Sequence, residues 1–211
     1  VPVSLSAGFT VDDSGLTRTA SGLARQQSKR GASDLTPIEK SQTGVAWYPK
    51  PDEKLAFSSG KTHQVNDSES LLRVLPQTQP GDVILLSEGR YSLEKPLIIS
   101  HRVTLKGESR SNTILYPQRA IMAEIADGGS LQISNLTMDG SQAPDSAGNV
   151  LVRNTRLPTL ANYAFELISV NVRHLNVNHS AHVFDAGYRS MADEIRIIDS
   201  EFSDITGDVL R

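Results

Sequence analysis

The spacing of apolar residues changes near residue 81. Before it, Leu71, Leu72 and Leu75 fall at helical intervals. Asp67 or Ser68 can cap that helix, and Glu69 suits its first turn. Pro76 and Pro80 stop it, so a short helix is predicted over about 67–76. After it the chain becomes a series of short runs with period two. Val83 pairs with Leu85, Leu97 with Ile99, and Val103 with Leu105, while Gly, Asp, Asn and Ser fall between the runs. "NTILYP", "AIMAEIADGG" and "LQISNLTMDG" continue the series.

Three later stretches share a finer pattern, apolar–x–apolar–x–x–apolar–x–apolar. Counted from Leu131, the apolar positions are Leu131, Ile133, Leu136 and Met138. From Val170 they are Val170, Val172, Leu175 and Val177. From Ile195 they are Ile195, Ile197 and Phe202, with Ser200 in the remaining place. The doubled x marks a corner between two very short strands, and period two on either side keeps all four side chains on one face. These starts are 39 residues apart (131 to 170) and then 25 (170 to 195); the longer gap holds a loop insertion. Val83 to Val103 is 20, and Val103 to Leu131 is 28.

A cornered repeat of this length cannot bury its apolar face alone. Stacking each copy on the next buries it and pairs every strand above and below. The expected fold is therefore all-β: a right-handed, single-stranded parallel β-helix, a solenoid with coils about 4.8 Å apart. The helix before residue 81 becomes a cap over its first coil, covering an edge that would otherwise recruit other strands. The last repeat reaches Arg211 with no such cover, which is expected of a domain that continues further.

Residues 1–50 differ in composition. They are rich in Ser, Thr, Gly and charge and hold neither period for long, so they read as an extended linker or arm from a preceding domain, with the β-helix domain over 51–211. "VAWYPKP" at 45–51, with the single Trp, would anchor the arm; an exposed aromatic platform for sugar is the other reading.

Composition narrows the chemistry. A net charge of −3 provides no basic field for nucleic acid. The absence of cysteine removes disulfides, thiolate metal sites and a cysteine nucleophile. No run of about 18 apolar residues offers a membrane span, and the first residues lack the regions of a signal peptide.

The segment "SLLRVLPQTQPGDVILLSEGRYSLEKPLIISHRVTLKGES" resembles the opening of polysaccharide lyase family 6, the chondroitinase B and alginate lyase family. "GVAWYPKP", the helix and coils, and "HSAHVFDAGYRSMADEIRIIDSEFSDITGDVLR" look like the second, C-terminal β-helix of two-domain alginate lyases in that family. "GLTRTASGLARQQSKRGASD" looks like the connector leaving the first domain. The resemblance implies a parent protein that cleaves uronic-acid polymers by β-elimination. In the family a calcium ion, held by an Asn and two Glu, neutralises the uronate carboxylate; a Lys takes the C5 proton and an Arg assists the leaving oxygen. Those residues belong to the first domain, near motifs like E-x-E-x-x-S-N-K-S and L-R-H-G. Neither motif occurs here, nor does any Glu-x-Glu pair, so no catalytic or calcium-binding residue is carried over. The implied partners are the N-terminal catalytic β-helix of the same protein, alginate, and a second copy in a homodimer. The implied location is secreted or periplasmic, in a bacterium. The implied role is an accessory β-helix that supports the catalytic domain, the substrate groove or the dimer. A non-catalytic carbohydrate-binding module, a structural β-solenoid and a different catalytic β-helix remain as alternatives.

The densest polar stretch is 173–189, "RHLNVNHSAHVFDAGYR". His179, His182, Tyr188 and Arg189 are its candidate sugar contacts. A His or Tyr base beside an Arg, or a metal on His179, His182 and Asp185, are further options. The plainer reading is a structural ladder: His174 aligns with Asn135 and Asp199, and Asn178 with Asp139 and Ser203. No metal ligand is assigned. Asp127 and Asp139, each beside Gly, are turn residues before they are calcium ligands. Lys29–Arg30 and His101–Arg102 could meet a polyanionic uronan, or be ordinary solvated charge. Asn135 and Asn178 open glycosylation sequons that chance explains.

Overall fold

A computed structural model describes residues 3–4, 10–11, 56–144, 149–153, 163–175, 181–187, 190 and 192–211. The chain divides into two units, Val1–Pro51 and Asp52–Arg211. In the first, strand β1 (Val3–Ser4) pairs antiparallel with β2 (Thr10–Val11). The rest of the expected arm, including 45–51, lies outside the described residues.

The second unit opens with β3 (Thr62–Val65) and helix α1 (Ser68–Val74), which a short 3-10 turn, Leu75–Gln77, extends. Asp67 caps the helix by accepting from the Ser70 amide at 2.6 Å, and the Ser70 hydroxyl receives the Asp67 amide in return. Leu71 and Leu75 are buried in the core and Leu72 packs against it. The helix thus covers the first coil as expected. Strand β3, which pairs in parallel with the next strand, was not foreseen.

Three strands then make each coil. The first coil is β4 (Val83–Leu86), β5 (Gly89–Leu93) and β6 (Leu97–Ile99); the second is β7 (Arg102–Gly107), β8 (Thr113–Pro117) and β9 (Ala123–Ile125). The third is β10 (Ser130–Ser134), β11 (Thr137–Asp139) and β12 (Asn149–Arg153); the fourth is β13 (Tyr163–Ile168), β14 (Asn171–Leu175) and β15 (His182–Asp185). β16 (Ala192–Ile198) and β17 (Glu201–Ile205) belong to the fifth. From β4 onward every third strand joins the same sheet, and β3 extends the first of them, giving the orders β3-β4-β7-β10-β13-β16, β5-β8-β11-β14-β17 and β6-β9-β12-β15. All these pairings are parallel. This is a parallel β-helix.

Its core consists of inward columns one residue wide. Ile84, Leu105, Ile133, Leu167 and Ile197 form one; Val103, Leu131, Phe165 and Ile195 another; Tyr91, Leu115, Met138, Val172 and Phe202 a third. Of these, Ile195, Ile197 and Phe202 on the last coil keep some exposure, and the others are buried. Phe165 stacks on Phe184 at 4.0 Å between ring centroids, and Tyr163 meets Phe184 edge-on.

Two expectations need correction. Leu131 and Ile195 share a column, but its member in the fourth coil is Phe165, not Val170. Val170 sits five residues on, at the corner level with Leu136 and Ser200. The true spacings are 34 (131 to 165) and 30 (165 to 195). The slip has a physical origin: Phe165, Leu167, Val170, Val172, Leu175 and Val177 contain two overlapping copies of the same cornered pattern, because the chain turns twice there. The second correction concerns β4, where Ile84 and Leu86 point inward rather than Val83 and Leu85.

The corners explain themselves by backbone conformation. Asn135, Ser169 and Asp199 occupy equivalent places with φ of 52°, 55° and 47°. His174 and Asp204 form a second pair, at 58° and 57°. His174 therefore aligns with Asp204 and not with Asn135; level with Asp139 are Arg173 and Ser203, while Asn178 lies outside the described residues. The left-handed region is costly for most side chains and least so for short polar ones, which can bond locally.

Candidate functional site

Residues that alternate with the core columns face outward, and on the first sheet they form three parallel rows. The central row is Val83, Thr104, Gln132, Glu166 and Arg196. Arg102, Ser130, Ala164 and Glu194 run along one side of it; Leu85, Lys106, Ser134, Ile168 and Ile198 run along the other.

The central row is joined by hydrogen bonds from coil to coil. The Thr104 hydroxyl donates to Gln132 Oε1 at 3.2 Å, and Gln132 Nε2 donates to Glu166 Oε2 at 2.6 Å. Arg196 Nη1 donates to the other oxygen of Glu166 at 3.3 Å, while its Nε lies 3.8 Å from Glu194. Thr104 and Glu166 are buried although they point away from the core. Ser58, on the segment before β3, lies over this row, its hydroxyl 3.2 Å from that of Thr104.

Two cavities open on this face and share Gln132. One, of about 310 Å³, is lined by Phe57, Arg102, Gln132, Glu166, Glu194 and Arg196 with Ala56. The other, of about 470 Å³, is lined by Ser58, Lys106, Ser134, Asn135 and Ser169, with Gln132 and Ile168. The Arg102 guanidinium lies over the Phe57 ring, 4.5 Å from its centroid. Burial lowers the Arg102 pKa from its ordinary value, against the pull of Glu166, Asp193 and Glu194. Among the described residues no carboxylate comes within ion-pair reach of Arg102 or Lys106, whereas Arg196 is shared between two.

Other polar clusters are tied into the scaffold. Arg110 donates from Nε to Asn171 Oδ1 at 2.7 Å and lies 3.5 Å from Asp199, which accepts from the Ser169 hydroxyl at 2.7 Å. It staples a corner across coils. Asp82 accepts from the Gln79 and Lys61 amides at 2.9 and 2.8 Å and meets His63 Nε2 at 2.7 Å. The Gln79 amide above all, then the His63 ring and the Lys61 amide, hold its pKa down to about 2 against the opposing effect of burial. Asp139 pairs with Arg173 at 2.9 Å and Asp127 with Arg153 at 2.8 Å, so both serve the fold.

Of the four sugar contacts expected from sequence, His179, Tyr188 and Arg189 lie outside the described residues. His182 is on the third sheet, away from these cavities, and is 8% exposed. Its Nδ1 accepts the Asp208 amide at 2.9 Å, and Arg211 Nη1 lies 3.2 Å from Nε2. Asp185 accepts from Asn149 and from the Gly187 amide. Among the described residues no group of three His, Cys, Asp or Glu could hold a metal ion. The groove on the first sheet was missed apart from Arg102. Its signal was Gln132, Glu166 and Arg196 at one place in successive coils, legible only once Phe165 is aligned with Leu131.

No family model matches the chain, and no curated protein matches it. Solved structures do. The PL6 family alginate lyase AlyGC is 36% identical with a TM-score of 0.70, and an arginine-to-alanine mutant of AlyGC is 35% identical with the same TM-score. Each alignment covers 94% of this chain and 27% of the solved one. The chain thus spans about a quarter of the length of the relatives it matches.

Proposed function

This chain is a relative of the PL6 family alginate lyases, and on that premise we propose that it is an accessory β-helix of a protein that depolymerises alginate by β-elimination. Elimination needs a free base beside the proton at C5 and a group that neutralises the uronate carboxylate. The observation that carries the accessory reading is the engagement of Glu166. Both its oxygens are taken, by Gln132 and Arg196, in a row whose order suits a rigid supporting face better than proton transfer.

The family implies calcium, and the groove does not fit it. A calcium ion takes six to eight oxygens, largely carboxylate and carbonyl. The two carboxylates of the groove, Glu166 and Glu194, are both drawn to Arg196. Calcium is accordingly assigned to a separate catalytic domain of the parent protein, as are the base and the leaving-group acid. Secretion or export to the periplasm, where alginate is met, and contact with that domain or with a second copy belong to the same proposal.

The test is to incubate the purified 211-residue chain with alginate and follow the ultraviolet absorbance of the unsaturated uronate product. No rise is expected from this chain, with or without added calcium. A sustained rise proportional to its concentration would place the chemistry within it and overturn the accessory assignment.

A further inference from the structure

We propose that the groove on the outer face of the first sheet binds a uronate residue of an anionic polysaccharide, with the sugar carboxylate taken by the Arg102 guanidinium. This rests on the reading of the chain as part of an alginate-acting protein and gives that reading a place of contact.

The argument begins with the two arginines in the smaller cavity. Arg196 is committed to Glu166 and Glu194. Arg102 is not: the face of its guanidinium rests on Phe57, and among the described residues no carboxylate lies within ion-pair distance of it, Glu166, Asp193 and Glu194 acting on it only from farther off. Glu194 stands in the same outward row but three coils away, about 14 Å at the backbone for strands spaced near 4.8 Å. A guanidinium held by one face leaves its edge, where the N–H donors lie, available to a partner in its own plane. That planar fork matches a carboxylate with two parallel hydrogen bonds. Phe57 is therefore a positioning residue, fixing the plane of the fork without touching the acid.

The surroundings suit a sugar more than a simple anion. Gln132 and Glu194 line the same cavity, and the second amide hydrogen of Gln132 and the Glu194 oxygen turned from Arg196 offer partners for ring hydroxyls. The larger cavity continues from Gln132 with Lys106, Ser134, Asn135 and Ser169, a second cation among hydroxyl and amide groups. Both volumes fall within the range of small-ligand pockets. The two cavities, both open to solvent and sharing Gln132, place Arg102 and Lys106 at separated points. A polymer carrying one carboxylate per sugar meets those cations in turn. The chain's net charge of −3 argues that attraction here is local rather than a bulk field.

The test is isothermal titration of the 211-residue chain with saturated alginate hexasaccharide at low salt. Carboxyl-reduced hexasaccharide serves as the neutral control. Binding is expected for the acidic sugar, with affinity for the neutral one at least about tenfold lower, as the loss of a charge-assisted pair implies. Arg102→Ala and Arg102→Gln should each weaken binding by about tenfold or more. Arg102→Lys should recover part of it, and Phe57→Ala should lie between. Lys95→Ala, on an exposed turn away from the groove, should bind as the parent chain does. Circular dichroism melts exclude variants that fail to fold, and having two uncharged replacements at 102 keeps the comparison available. No binding by the parent chain, equal binding of the neutral sugar, or equal losses at Lys95 and Arg102 would each overturn the site. Product absorbance read in the same samples tests the accessory assignment separately. A chain that fails to bind yet makes no product defeats only the groove; a chain that makes product defeats the assignment whether or not it binds.

Discussion

A carboxylate only 4% exposed, as at Glu166, needs donors to replace the water it has lost. Gln132 and Arg196 are those donors, and Arg196 is the half-exposed one. Arg196→Ala leaves one oxygen of a buried carboxylate unmatched and should cost about 1–3 kcal/mol in urea unfolding. Glu166→Gln in the same background should recover much of that, because it removes the charge needing the partner. Asp82 sets a different, pH-dependent contribution. Its folded pKa of about 2 lies below the ordinary value of 3.8, so the unfolded chain binds the proton more readily. The stability it confers is complete above the ordinary value and drains away as pH falls from about 4 to about 2. Asp82→Asn should lower stability at neutral pH, and its deficit against the parent should shrink across that window. A deficit independent of pH in chemical denaturation would mean that Asp82 is not the titrating group.

At the scale of the element, close approach limits the turns. A Cβ on Gly129, in the turn that leads into β10, would collide with the Ile99 carbonyl oxygen. That neighbour is backbone and cannot rotate away, so Gly129→Ala should displace the turn, costing about 1–3 kcal/mol and visibly lowering the thermal midpoint. Turns of this kind, like the capping helix, were legible in advance. Asp67, Glu69 and the leucine stripe encode α1 locally, and Gly or Asp punctuation encodes the strand ends. Register was less legible. Phe165 and Val170 begin equally good copies of one motif, and nothing local says which of them lies on Leu131; pairing with Ile133 and Ile197 through Leu167 decides it. β3 was hidden because "THQV" carries only one buried side chain, Val65. The groove was hidden for the same reason as the register. Gln132, Glu166 and Arg196 are unremarkable polar residues until the coils are stacked in the right phase.

Over the whole β-helix unit, stability is a sum of contacts between neighbouring coils. Phe165 holds the fourth coil to the third through Leu131 and stacks across the interior on Phe184. Phe165→Ala should therefore cost about 3–5 kcal/mol. Hydrogen exchange should quicken first in β13 and its neighbours β10 and β16, leaving the amides of β4 and β5 near the helix protected for longer. Uniform acceleration throughout would show that the coils unfold only together. The left-handed corners at Asn135, Ser169 and Asp199 add a property of another kind. Because the same bend recurs at the same phase, a whole coil can be gained or lost between them without altering the cross-section of the cleft beside it. Each such coil would change the cleft's length by about 4.8 Å, so that evolution could adjust that length as one cuts a measuring tape, by whole divisions.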